Sequence, residues 1–433
     1  MNLKKLIKPA VAVLAAALTA VLAVTNIFYG LDAAVTDKLY TDLSGPTDDI
    51  VIISVDEETV DAFKGEGKFS DWIRYKCADV LEYLYSDPDD APALVGVDFM
   101  FVEEGENKDY DERLVQAAGK GDVVLASHIV YRGKTEFGEK GEIYFNKKNI
   151  ELVEDPFPAL TAVTASGYSN AMPGKDGFVR YAMNETGNPP LQSFSYALYL
   201  KYCQNKGITP NKIKTDSLGQ FMFSYSGMPE EFPHFSMSNV LAGAYDGRRD
   251  LFRNKVVLIG AYAPAFQDEY YAPVDRDTHM YGVEVHANIL QALMEGKTAL
   301  PAKRVIFFGA TFLIALAFLF AASKQKLVPV IIESVVLGAV YCLAGRIFLS
   351  KGIFITAAYM LLFLILADVY YVIEKYFLEK WRRRRTLEVF KKYVAPQVID
   401  DISKSGDFVL KLGGEKRDVA VLFVDIRGFT PLS

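Results

Sequence analysis

Cysteine and histidine are scarce in this 433-residue chain, at three and four residues. Cys77, Cys203 and Cys342 match no disulfide framework. His128, His234, His279 and His286 are scattered, and no Cys/His spacing suits a metal. No histidine occurs between His286 and Ser433, so a sensor kinase with its acceptor histidine in that stretch is set aside. Net positive charge is also missing: at −7 the chain gives no support to nucleic acid as a partner. The one dense basic run, Arg382–Arg385, suits the neighbourhood of anionic lipid better.

Apolar residues are plentiful, at 51% of the chain beside 23% charged residues, so they must be segregated. Four runs approach the roughly 20 residues that span a bilayer. They are Pro9–Leu31, Val305–Ala322, Val328–Leu349 and Ile353–Ile373. The expected class is a multi-pass protein of the cell membrane with four transmembrane helices, at 9–31, 305–322, 328–349 and 353–373. Lys4, Lys5 and Lys8, then Lys324 and Lys326, then Arg382–Arg385 would share one side, the cytoplasm. Residues 1–8 and the tail are then inside, and residues 32–304 form one outer domain. The first run could instead be a cleaved signal peptide, but at over 20 apolar residues it better suits an anchor. Glu333, Arg346 and Asp368 fall within spans, where polar anchoring or interhelix hydrogen bonding suits them better than transport.

The outer segment alternates apolar strands with helical patterns. "DIVIISVD" (49–56), "APALVGVDFMF" (91–101), "GDVVLASHIV" and "NKVVLIGAYA" (254–263) are strands. "EETVDAF", "YKCADVLEYLYS" (75–86), "DERLVQAAGK", "SFSYALYLKYC" (193–203) and "YGVEVHANILQALMEG" (281–296) are helical. Near-continuous apolar strands separated by helices predict an α/β layer with parallel pairing. Ligands in such sheets settle outside the carboxyl ends of the strands. That rule selects Asp56, Asp98 and Asp268, with His286 on a nearby helix, as a candidate ligand cleft. The more ordinary role of such residues is structural: acids at strand ends cap helices, and a buried histidine fills a helix–sheet seam.

"DIVIISVDEETV", "VGVDFMF", "GYSNAMPGKDGFVRY" (167–181), "FRNKVVLIGAYAPAFQDEYYAP" (252–273) and "YGVEVHANIL" together resemble the second type of CHASE domain. The resemblance covers nearly all of residues 32–296 and implies an extracellular sensory module of a membrane signalling protein. It supplies no ligand.

Beyond the last run, residues 374–412 read as a cytoplasmic linker helix, with Leu387, Phe390 and Val394 on one seam. "VAVLFVDI" (419–426) then reads as a buried strand with Asp425 near its end. A carboxylate there suits a hard divalent cation, and the turn Arg427-Gly428-Phe429-Thr430 presents backbone N–H groups suited to phosphate.

"KYVAPQVIDDI" and "LGGEKRDVAVLFVDIRGFT" resemble the entry to the catalytic domain of class III nucleotidyl cyclases, an α+β, ferredoxin-like fold. The resemblance implies ATP, or less readily GTP, as substrate, with a 3′,5′-cyclic nucleotide and pyrophosphate as products. It also implies a homodimer and two Mg2+ or Mn2+ ions, with Asp425 and the Ile426 carbonyl as metal ligands. Residues Arg427, Gly428, Phe429 and Thr430 would hold phosphate. Residues 413–433 would thus be only the start of that domain. The catalytic residues are expected beyond Ser433, and this chain alone is expected to be inactive. The alternative is a non-catalytic membrane receptor that binds an outside ligand and partners a complete cyclase.

Overall fold

The computed structural model describes residues 3–41, 44–132, 136–137, 143–144, 150–217, 219–390, 418 and 420–424. The chain divides into Met1–Asp368 and Val369–Ser433. The named strands of the first part are β1 (Ile50–Val55), β2 (Leu94–Asp98), β3 (Val123–Tyr131), β4 (Ile150–Glu154), β5 (Ala165–Tyr168), β6 (Tyr181–Met183) and β7 (Gln220–Phe223). After them come β8 (His234–Ser236), β9 (Val256–Ala261), β10 (Glu269–Ala272), β11 (Asp275–Tyr281), β12 (Thr298–Pro301) and β13 (Ile353–Phe354). The main helices are α1 (Leu3–Thr25), α2 (Tyr29–Tyr40), α3 (Glu57–Phe63), α4 (Phe69–Leu84), α5 (Lys108–Ala118), α6 (Phe194–Lys206), α7 (Gly282–Glu295), α8 (Arg304–Lys324), α9 (Leu327–Ser350) and α10 (Ala358–Phe390).

All six residues of β1, and all six of β9, are buried, because both faces of their sheet are covered. The strands run parallel in the order β8-β1-β9-β2-β3, with β5 also parallel to β3 and β4 antiparallel to its far half. Side chains alternate across the pleat. Ile50, Ile52, Leu94 and Leu258 meet a layer containing Phe194 and Leu198 of α6 and Leu290 of α7. Val51, Ile53, Val97 and Ile259 meet a layer containing Ile73 and Leu81 of α4 and Leu114 of α5. Cys77 and Cys203 lie in opposite layers, both unbridged. The close approach of α7 requires Gly260, since a Cβ there would stand 2.6 Å from the Cβ of Val283. Gly260→Ala is therefore expected to cost about 1–3 kcal/mol. Thermal unfolding of the detergent-solubilised chain would read this as a lower midpoint, and an unchanged midpoint would show that α7 is free to shift.

A second, four-stranded sheet runs β13-β12-β7-β6. Strand β12 leads into α8, and β13 follows α9. The sheet therefore ties the ends of the α8–α9 hairpin to strands of the α/β body.

The expectation of four spans is corrected. Among the described residues α8 and α9 are long and apolar enough to cross a membrane. The run expected at 9–31 is a bent pair, Ala10–Thr25 with Tyr29–Leu39, turning by 79° at the break, and makes a third span if the pair is one. The expected fourth, 353–373, does not qualify. Ile353 and Phe354 are drawn into strand pairing with Leu300 and Pro301, and the helix begins only at Ala358. From there its sequence takes in Asp368, Glu374 and Lys375. Two or three apolar helices are compatible with membrane association. The three charged residues noted in these runs have hydrogen-bond partners: Ser334 Oγ donates to Asp368 at 2.5 Å, Gln325 to Glu333 at 2.8 Å, and Arg346 to the Leu39 carbonyl at 2.9 Å.

In the second part, residues 420–424 form neither helix nor strand, and Val421, Leu422, Phe423 and Val424 are exposed. The buried strand expected at 419–426 is not formed over these residues. Asp425, Ile426, Arg427, Gly428, Phe429 and Thr430 lie outside the described residues, as does Val394.

Candidate functional site

Strand β2 ends at Asp98, and no helix follows until Lys108. The Asp98 side chain consequently stays at the strand end with nothing to cap. Asp268 arrives from the loop after β9, just past Gln267, whose φ of 56° is left-handed. Its carboxylate lies against the start of α7, at a place only Gly282 allows: a Cβ on that residue would stand 2.3 Å from Asp268 Oδ2. His286 lies one turn further along α7. These three residues line one cavity of about 640 Å³ at the carboxyl ends of β2 and β9.

The structure separates Asp56 from this group, which corrects the four-residue cleft. Asp56 caps α3, accepting from the Thr59 amide at 2.9 Å and from Ser54 and Ser236 hydroxyls at 3.2 and 2.9 Å. A helix begins immediately after it, so its carboxylate is taken up by the Thr59 amide of that first turn and by the two hydroxyls.

The electrostatics of the remaining three follow from burial. The Asp98 and His286 side chains are 9% and 12% exposed. Burial raises the Asp98 carboxyl to about 7. Asp268 is raised to about 6, by burial first and by the charge of Asp98 second. Burial holds His286 down at about 4, so its ring is neutral at pH 7. Although His286 Nε2 lies 3.9 Å from Asp98 Oδ2, the two do not form an ion pair there. The ring is held by Ser195 Oγ, 2.8 Å from Nδ1, and by Phe194, whose ring meets it edge-on at 5.1 Å.

Several lining residues escaped the sequence reading. Phe69, Phe99 and Phe266 form one aromatic wall, with centroids 5.0 to 6.5 Å apart. Asn170 fixes the wall opposite by exchanging hydrogen bonds with the Ile129 amide and carbonyl at 2.9 and 3.0 Å, as a further strand would. Tyr181, Ala182 and Met183, the whole of β6, also face the cavity. Asn170, Phe99 and Phe266 stand in stretches quoted for the family resemblance, "GYSNAMPGKDGFVRY", "VGVDFMF" and "FRNKVVLIGAYAPAFQDEYYAP", whereas Phe69 stands in none, and no local spacing shows that the three rings meet.

Immediately before β6, Arg180 faces the other way. Its guanidinium binds Asp37 of α2 through two bonds of 2.7 and 2.8 Å, and Asp176 through two of 2.9 Å. Arg276 reaches the same Asp37 at 2.5 Å. The short segment 179–183 thus touches the cavity on one side and α2 on the other. No group of three or more His, Cys, Asp or Glu side chains among the described residues is placed to hold a metal ion.

Compared with known proteins, residues 11–323 match the family described as the CHASE2 domain. The match takes in α8 and most of α1 as well as the α/β body. No curated protein and no solved structure matches the chain.

Proposed function

From the premise that this chain belongs to the CHASE2 domain family, we propose that it is a membrane receptor whose cavity binds a small molecule outside the cell and whose output is a class III nucleotide cyclase. A sensory role in signal transduction follows from the family; the ligand site, the sidedness and the output are the proposal. The observation that carries it is the position of β6. That strand lines the cavity and is hydrogen-bonded through β7 and β12 to the entry of α8. Arg180, next to it, grips α2. A ligand that displaced β6 by a fraction of an ångström would pull on both connections. Packed elements of this kind shift between discrete arrangements, so such a pull can be passed on as helix movement.

The cyclase output rests on "KYVAPQVIDDI" and "LGGEKRDVAVLFVDIRGFT". In this reading Asp425 and the Ile426 carbonyl hold Mg2+ or Mn2+, and Arg427 to Thr430 cradle the nucleotide phosphates through backbone amides. Metal held by Asp425 and the Ile426 carbonyl would supply Lewis-acid charge for attack by the ribose 3′-hydroxyl on the α-phosphorus and for the leaving pyrophosphate. The protein made from the complete reading frame is expected to turn ATP into cyclic AMP as a homodimer. Asp425→Ala removes several kcal/mol of charge stabilisation, so activity should fall by about 100-fold or more. Cyclic GMP in place of cyclic AMP would change the substrate. Formation of neither product would overturn the cyclase output and favour the non-catalytic receptor that partners a complete cyclase.

A further inference from the structure

The cavity's chemistry is lopsided. Asp98 and Asp268 line it, and among the described residues no lysine or arginine does. The other titratable groups facing the two acids are His286, His128, Tyr168, Tyr181 and Tyr270. His286 is neutral and its Nδ1 is engaged by Ser195. Tyr270 stands beside Asp268 and works against the rise that burial imposes on its carboxyl. Asp98 is nine-tenths buried, lines the cavity and has no hydrogen-bond partner among the described residues, the nearest polar group being His286 Nε2 at 3.9 Å. A buried carboxyl without a partner is costly. The cavity's occupant, water or ligand, is what can supply that partner.

We propose that the cavity takes a small organic ammonium ion, its charged nitrogen set between Asp98 and Asp268 and its apolar body against Phe69, Phe99 and Phe266. This rests on the reading of the cavity as the sensor site and names its ligand class. Three observations select an organic cation. Anions find no positive side chain on the walls among the described residues. A bare metal ion is poorly served, because Asp98, Asp268 and His286 are not placed as a three-ligand group among the described residues. The phenylalanine wall offers ring faces, which attract cations and pack against hydrocarbon. At about 640 Å³ the space falls within the roughly 300–1,000 Å³ typical of small-molecule pockets.

Binding should be linked to pH. With Asp98 near 7 and Asp268 near 6, both acids are largely ionised at pH 8 and largely protonated at pH 5. An ammonium ion must then displace a proton to bind. Its affinity should fall by roughly 100-fold from pH 8 to pH 5, from Asp98 alone.

The test is calorimetric titration of the detergent-solubilised full chain with 2-phenylethylamine, 2-phenylethanol and 3-phenylpropionate at pH 8 and pH 5. The amine is expected to bind at pH 8, with the predicted loss at pH 5 and proton release at intermediate pH. Asp98→Asn should weaken it by at least about 30-fold, the worth of a buried charge-assisted bond, while the alcohol's affinity stays unchanged. Ala182→Trp, which fills the cavity, should abolish amine binding. Thermal unfolding checks that both variants are folded. Binding of the alcohol or the acid in preference to the amine, blocked by Ala182→Trp, would overturn the ammonium proposal and leave the cavity as a sensor site. Binding of none of the three, with both variants folded, would overturn the ammonium class. If Ala182→Trp then also left signalling by the complete protein unchanged, the sensor site itself would fall.

Discussion

Arg180→Met is expected to destabilise the α/β body by about 3–5 kcal/mol, the cost of breaking a buried ion pair from one side. The guanidinium is 6% exposed and Asp37 is 3% exposed, so neither can turn to water when its partner is lost. Methionine fills much of the arginine's volume, which limits the cavity term and isolates the charge. Asp176 suffers less, because it is 21% exposed and can hydrate. Asp37 keeps only Arg276, which stands 40% exposed and is screened. Asp37→Asn in the Arg180→Met background should therefore recover a large part of the loss. Denaturant unfolding of the detergent-solubilised chain reads both effects. Hydrogen exchange should rise first in α2, whose link to segment 179–183 has been cut. A loss below about 1 kcal/mol, or no recovery in the double variant, would show that this pair carries little and that α2 is held by packing.

What the sequence made legible was the part of the fold with long, repeated signals. Strands β1, β2, β3 and β9 are near-continuous apolar runs, and α4, α5, α6 and α7 have apolar spacing over three or more turns. Their burial on two faces forces that pattern. Strand β8 contributes three residues and β6 three, too few for alternation to show. The second sheet was invisible for the same reason, and with it the diversion of Ile353 and Phe354 away from a span. At the site, the rule about strand ends chose four residues and the structure brings together three. The distinction was present locally. Asp56 is followed at once by Glu57-Glu58-Thr59 and caps the helix they begin, whereas Asp98 is followed by Phe99-Met100-Phe101 with no helix to cap. What no local pattern held was the aromatic wall, because residues 69, 99 and 266 meet only once the sheet has assembled.

Asp98→Asn should stabilise the folded chain, and the gain should depend on pH in one direction. Asparagine resembles the protonated carboxyl in shape but cannot ionise. At pH 4 and below, the acid is protonated in the folded state and close to half protonated when unfolded, so the two proteins should differ little. Between pH 4 and pH 7 the folded state holds a proton on Asp98 that the unfolded state has released, since the folded value is about 7 and the ordinary value 3.8. Wild-type stability then falls as pH rises, by up to about 1.4 kcal/mol per pH unit from this one group. Above pH 7 the penalty is complete and the advantage of asparagine levels off, on the order of 4 kcal/mol. Asp268 adds to the gain, because its own upward shift owes its second cause to the charge of Asp98. His286 acts in the opposite sense: burial lowers its value to about 4, so it costs stability as pH falls from 6.5 toward 4. That contribution is common to both proteins and cancels in their difference. Denaturant unfolding of wild type and variant at pH 4, 5, 6, 7 and 8, without added amine, measures the curve. Destabilisation by asparagine at every pH would mean that Asp98 is ionised and paired with a charged His286. A difference that rises between pH 4 and 7 and then flattens is the mark of an acid buried without its cation.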